Sequence, residues 1–298
     1  MIPASTQHFS NARAGIRRIA MQAGLAAALA GFSLASLAQT AVDEALLSIE
    51  RPAIFYSQMP KIAGSMNSPA LEVADKRKIP ALTQQGEKLA RAAFDETKTM
   101  ADIRAALAKT PDAGAVGKDL PAIATRFREQ EAVLDAMSME QAQAAGTKYD
   151  AQLNARADKA AIQKVSSMMA GPVLAGEHMV TAKRFKRIYE AIILGNTEKL
   201  RAMSPAEVEQ GAREILQMSR DPKEDQPGPF MHQVMMDSWR LRKQAVLTQL
   251  SKADVAALQA FYASPAGRAK RAALVDTFVA SNDKAATQVI KGLMADLQ

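Results

Sequence analysis

The stretch Leu250–Phe278, LSKADVAALQAFYASPAGRAKRAALVDTF, constrains the fold more than any other part of the chain, because a proline stands between two helical patterns. Ser251 and Asp254 form an S-x-x-D capping box, in which a hydroxyl and a carboxylate serve backbone N–H groups left open at a helix start. Val255, Leu258 and Phe261 or Tyr262 then recur every three to four residues, which predicts an apolar stripe along a helix beginning at Ser251. Pro265 disfavours helical geometry at Ser264, and a proline suits the first turn of a new helix that Ser264 can cap. Two short helices are therefore expected to meet in a tight corner. Gly267 falls where a side chain would run into the preceding helix. Leu274, Val275, Phe278 and Val279 supply the second stripe, with Arg268, Lys270 and Arg271 expected outside.

With its aromatic pair followed by Ser-Pro-x-Gly, the string FYASPAG (Phe261, Tyr262, Ser264, Pro265, Gly267) lies after a capped helix and ahead of basic residues. In this the chain resembles the domain-of-unknown-function 2059 family, over roughly its last quarter, from about Met231 onward. The resemblance implies an all-helical envelope or periplasmic domain without an established activity. No catalytic residues come with it.

The first residues read as an export signal. Arg13, Arg17 and Arg18 form a positive region without acids, and an apolar run rich in alanine, leucine and glycine extends from Ile19 to Ala38. Ser36 and Ala38 place small residues at the −3 and −1 positions, so cleavage is expected before Gln39. The alternative is an uncleaved anchor, since a run of that length just reaches across a bilayer. Losing residues 1–38 removes three arginines and no acids, which takes the net charge from +7 to +4. That surplus is too small and too dispersed for a nucleic-acid binder. Cysteine is absent, which excludes disulfides, thiolate catalysis, iron–sulfur clusters and lipoprotein acylation.

Helical signals continue through the rest of the chain. Asp43 to Ile49 reads as one short helix, and prolines 52, 60, 69 and 80 then punctuate a region anchored by Ile54, Phe55 and Tyr56. A helix is expected from Ala81 to Glu96, and Thr99 to Asp102 repeats the capping-box pattern ahead of Ile103 and Leu107. Leu120 to Met137 traces another stripe, and Asp150 is expected to start a helix that Gly171, Pro172 and Gly176 stop. Phe185, Ile188, Tyr189, Ile192 and Ile193 give the cleanest amphipathic segment, ended by Gly195. Ser204 to Glu207 is a helix start, DPKEDQPGP (Asp221–Pro229) reads as a linker, and a long helix leads from Phe230 to about Leu250. No segment alternates with period two between hairpin turns, so the fold class is all-α, a bundle of amphipathic helices with short Pro/Gly-rich connections. The expected organisation is a signal peptide at 1–38, an N-terminal helical region at 39–220 and a C-terminal helical domain at 230–298. TMADIRAAL (Thr99–Leu107) and SKADVAAL (Ser251–Leu258) also suggest a duplication offset by about 150 residues.

Chemistry-bearing patterns are few. After processing only His178 and His232 remain, and His232 with Met235 and Met236 at i+3 and i+4 offers a soft imidazole–thioether set suited to Cu(I). Against this stands the common use of methionine as a flexible core filler. Lys183, Arg184, Lys186 and Arg187 form a basic cluster that suits lipopolysaccharide, phospholipid headgroups or another polyanion, or else an ordinary solvated face. The chain lacks the G-x-S-x-G elbow, the Walker loop, the H-E-x-x-H pair and the dinucleotide glycine fingerprint, and its acids read as helix caps. Taken together, the pattern points to an exported, non-enzymatic protein of the periplasm or exterior, without a cofactor. Its partner would be another envelope protein or an anionic envelope component. The alternative is a small-ligand or copper binder using a groove lined by Trp239, Phe261 and Tyr262.

Overall fold

The computed structural model describes residues 39–65, 78–195, 202–220 and 228–296. The expected signal segment and most of the Asp221–Pro229 linker lie outside these residues. The described residues are helical throughout, apart from connecting turns and one 3₁₀ turn at Gly114–Val116, and contain no strand. In chain order the helices are α1 (39–50), α2 (Pro52–Ser57), α3 (Met59–Gly64), α4 (Lys78–Ala93), α5 (Glu96–Leu107), α6 (Leu120–Asp135) and α7 (Met139–Ala155). They continue as α8 (Lys159–Met168), α9 (Gly171–Leu194), α10 (Pro205–Arg220), α11 (Gly228–Gln249), α12 (Lys252–Ala263) and α13 (Pro265–Ala295).

Helix α9 is the hub. It packs along α11 and against α13, α10, α2, α3 and α4, while α13 covers α4 and α5 from the other side. Its apolar positions face inward on more than one side: Leu174, Phe185, Ile188, Tyr189 and Ile192 are all buried. A helix apolar around most of its circumference belongs inside a bundle. Gly176 lies within α9, where a Cβ would come 2.5 Å from His232 Nε2 and 2.9 Å from Met236 Cγ. It therefore serves a close approach of α9 and α11, not the helix break expected from its type. Buried side chains from Val42 to Met294 form one continuous core.

The corner at Pro265 is built from local chemistry. Ser251 Oγ accepts the Asp254 N–H at 3.1 Å and starts α12. Ser264 Oγ accepts the Gly267 N–H at 2.9 Å and donates to the Phe261 carbonyl at 2.7 Å, so one hydroxyl closes α12 and opens α13. A Cβ on Gly267 would lie 1.9 Å from the Phe261 carbonyl oxygen, a backbone atom that cannot step aside. Phe261 and Tyr262 are both buried and meet edge to face at 5.2 Å. The Asp254 carboxylate also reaches beyond its own helix, to Arg126 at 2.6 and 3.1 Å, and that ion pair holds it below the usual carboxylate range.

Several local expectations give way to tertiary contacts. The second helix of the corner is 31 residues long, because no proline or glycine interrupts the pattern between Gly267 and Gly292. Lys270 does not stay outside: it is fully buried, and its Nζ donates to Asp43 at 2.6 Å and Thr110 Oγ1 at 3.0 Å. Thr99 is not a cap, since Asp95 takes that place by accepting the Lys98 N–H at 2.9 Å and the helix starts four residues earlier. Pro80 stands within the first turn of α4, where its missing N–H has no helical role. Asp150 lies inside α7, and the break comes at Arg156. There the guanidinium donates to Thr248 O and Leu250 O, both at 2.7 Å, and closes the carbonyl end of α11.

Removing the Phe261 ring from this close-packed site should destabilise the fold by about 3–5 kcal/mol. Gly267→Ala should lower stability by at least about 1–3 kcal/mol, because relief of the clash requires the backbone to move. Urea unfolding of both variants checks this, and a Gly267→Ala protein as stable as the parent would show that the corner is not this tight.

Candidate functional site

The densest chemistry in the molecule is a buried charged network that begins at the joint between α1 and α2. Arg51 adopts φ 56° and ψ 49°, the single positive-φ non-glycine position among the described residues. Pro52 follows it, and a residue before proline avoids right-handed helical geometry. The chain therefore turns sharply at Arg51, leaving Glu50 at the end of α1 and aimed at the start of α9.

Glu50 is fully buried. Its Oε2 accepts the Gly171 N–H at 2.7 Å, and its Oε1 accepts the Tyr262 hydroxyl in a short hydrogen bond. Gly171 opens the 24-residue helix α9, whose first N–H groups lack helical partners and carry the positive end of the helix dipole. A carboxylate there is stabilised twice, by the N–H and by the dipole. Burial, followed by the Glu50 charge, pushes the Tyr262 phenol well above its ordinary range, so Tyr262 stays protonated and acts as a donor.

Lys243 of α11 flanks the same point. Its Nζ donates to Ile49 O at 2.6 Å and to Glu131 Oε1 at 3.1 Å, and lies 4.9 Å from the Phe127 ring centroid. A Cβ on Gly171 would lie 3.0 Å from Lys243 Cε and 3.4 Å from Glu50 Oε2, which places the two side chains on either side of the glycine. Burial pulls the Lys243 ammonium below its ordinary value, and Glu131 and Glu50 pull it back. Glu131 of α6, also fully buried, accepts from Arg128 at 2.6 Å and pairs with Arg51 at 3.5 Å. Asp135 receives Arg51 at 2.8 Å and Arg242 in a short contact. Five helices and one joint are thus tied by hydrogen bonds and paired charges. Tyr262, Glu50, Lys243 and Glu131 lie too deep to meet a substrate, so this inner part of the network holds helices in register.

The other candidate residues lie elsewhere. His232 and Met236 are folded over Gly176, and Met235 packs against the core, so all three serve helix packing. Among the described residues no group of three or more His, Cys, Asp or Glu side chains is placed to hold a metal. The basic cluster on α9 is split, because Arg184 turns inward, fully buried, to Asp283 at 2.7 Å, while Lys186 pairs with Glu190 at 3.7 Å. Lys183 remains a neighbour of Lys186 and Arg187, and burial, followed by the charges of Arg187 and Lys186, lowers the Lys183 ammonium. Phe261 and Tyr262 are closed into the core, and Trp239 stacks on Phe55 at 4.5 Å. Tyr189 is also interior, donating to Ala63 O at 2.7 Å. Among the described residues one surface cleft lies at the end of α11 beside Arg156 and another between α5 and α13 above Tyr56. Neither is lined by Trp239, Phe261 or Tyr262.

Sequence reasoning passed over Glu50, Glu131 and Lys243, yet they carry a signal. Each falls in phase with an apolar stripe: Glu50 with Leu46 and Leu47, Glu131 with Ala124 and Phe127, Lys243 with Val246, Leu247 and Leu250. A charge at a core position of an amphipathic helix implies a buried partner. Compared with known proteins, the chain matches no family model, no curated protein and no solved structure.

Lys243→Met removes the fully buried partner of Glu131, which keeps Arg128 and Arg51, and should lower stability in urea unfolding by about 1.5–3 kcal/mol. A second prediction concerns pH. His178 donates from Nδ1 to Phe55 O at 3.1 Å, and burial holds its imidazole below the ordinary value of 6.5. The unfolded chain then takes up this proton at a higher pH than the folded one. Stability is therefore complete above pH 6.5 and falls as pH drops from there toward the folded value. Chemical denaturation between pH 7.5 and 5 should show that slope in the parent and a flatter one in His178→Asn; equal slopes would rule His178 out as its source.

Proposed function

We propose that the chain is an exported, non-enzymatic helical protein of the cell envelope, of the domain-of-unknown-function 2059 kind, acting by contact with another envelope component. The observation that carries this reading is the outer face of α11. Met231, Val234 and Leu241 are 47, 41 and 59% exposed on one helix, within about 15 Å of axis. Single exposed apolar residues are ordinary, but three on one face make a strip that suits a protein partner. The inward use of Glu50, Tyr262, Lys243 and Glu131 in holding helices supports the non-enzymatic part. Export rests on the Arg13–Arg18 region, the apolar run and the Ser36-Leu37-Ala38 site. Among the described residues no helix is long and apolar enough to cross a membrane.

Intact mass spectrometry of the periplasmic fraction tests export, with a chain beginning at Gln39 expected; a chain that keeps residues 1–38 in the cytoplasm would refute it. Val234→Glu with Leu241→Glu should change stability by no more than about 1 kcal/mol, since both are surface positions. The double variant should lose the crosslinks that a photoreactive residue at Ser238 forms in the parent; unchanged crosslinks would remove α11 as the contact face.

A further inference from the structure

The outer end of the charged network has a composition that holding helices together does not account for. Arg51 and Arg242 come from two elements and converge on both Glu131 and Asp135, and Arg128, from a third, reaches Glu131. With Lys243 they bring four positive charges against the three of Glu50, Glu131 and Asp135, and Glu50 is already engaged by Gly171 and Tyr262. Each guanidinium carries five N–H donors, so donors at this place far outnumber the oxygens that face them. Arg242 Nε is buried, 3.9 Å from Glu131 and without a hydrogen bond. The arginine side chains remain 16, 34 and 26% exposed for Arg51, Arg128 and Arg242, so their outer edges reach solvent.

Asp135 is the weak member of the set. It is the last residue of α6, where the negative end of the helix dipole disfavours a carboxylate, and it is the most exposed of the acids, at 38%. The connecting residues Ala136, Met137 and Ser138 follow it directly, so its side chain is not locked on both sides by helix. Arg51, which holds it, does so from the left-handed backbone at the α1–α2 joint. Sparsely populated backbone conformations of this kind cluster at active sites, ligand clamps and switch regions.

We propose that Arg51, Arg128 and Arg242 form an oxyanion-binding site in which Asp135 is the resident acid and a phosphate group takes its place. Planar guanidinium forks match the oxygens of a phosphate; Arg51 and Arg242, which touch Asp135, seat it, and Arg128 borders the seat from Glu131. The phosphate is free or belongs to a lipid headgroup. This site adjoins the α11 strip, Arg242 standing next to Leu241, is separate from the cluster at Lys183, and stands whether or not the chain is exported.

Thermal unfolding of residues 39–298 in sodium phosphate, against sodium chloride at equal ionic strength, tests the proposal, because a ligand that binds the folded state raises the melting temperature and ionic strength alone screens both alike. The parent should be stabilised specifically by phosphate. Asp135→Asn, which removes the resident charge, should bind phosphate about tenfold more tightly by 31P line broadening, and Arg128→Gln and Arg242→Gln should lose the effect. Arg128 is the most exposed of the three arginines, so its variant decides the matter should Arg242→Gln fail to fold. Flotation with phosphatidylcholine vesicles containing phosphatidic acid separates the sources: arginine-dependent flotation indicates a headgroup, and phosphate binding without flotation indicates a free anion. No phosphate-specific stabilisation in either the parent or Asp135→Asn, or the same stabilisation in Arg128→Gln, overturns the site.

Discussion

One buried carboxylate sets the terms for the rest of this protein. Glu50 ends the first helix, and removing its charge from water is unfavourable by several kcal/mol unless the surroundings replace the lost hydration. They do so from three directions. Gly171 offers a helix-terminal N–H, Tyr262 offers a hydroxyl, and Lys243 brings a nearby positive charge. Because these groups come from α9, α12 and α11, satisfying one side chain forces three distant parts of the chain to one point. The aromatic doublet of the Pro265 corner divides its work accordingly, with Phe261 in the apolar core and Tyr262 completing the Glu50 site.

The same logic extends along α1. Asp43, two turns earlier on the same face, takes the buried Lys270 of α13, and Gln39 donates to Ala108 O and Thr110 O at 3.4 and 3.3 Å. The first helix is thus clamped at its beginning, middle and end by side chains from separate segments. Such paired interior charges are worth little relative to well-packed apolar groups, but breaking one partner away is severe. Their effect is to exclude alternative registers: an alanine-rich helix slides easily against its neighbours, and a buried ion pair has only one place to form.

The proposed contact surfaces lie outside this interior. The surface offers the apolar strip on α11 and the arginine cluster at the α1–α2 joint, and the second is continuous with the Glu50 network through Lys243 and Glu131. A ligand at those arginines would act on residues that already hold α1, α6 and α11 together. Binding and rigidity would therefore be coupled through direct contacts.

The fold class, the caps at Ser251 and Ser264, the turn at Pro265 and the need for glycine at 267 were legible in the residues, because each depends on backbone geometry within a few positions. Segment edges were less so: the sequence pattern at Thr99 is a valid cap, and Asp95 prevailed only because the longer helix buries Thr99 against its neighbours. Arg156 breaks a pattern that reads as continuous, since its partners at Thr248 and Leu250 are more than ninety residues away. The residues of the candidate metal and basic sets find other partners for a related reason. Helical spacing places His232 with Met236 and Arg184 with Lys183, but which neighbour faces them is a property of helix packing, and here that neighbour is Gly176 in one case and Asp283 in the other. The sequence by itself determined an all-helical chain, its local caps and its corner. Only the tertiary structure decided which charges are interior and what they meet, because ion pairing is set by the distance between side chains from remote segments, and no local pattern encodes that distance.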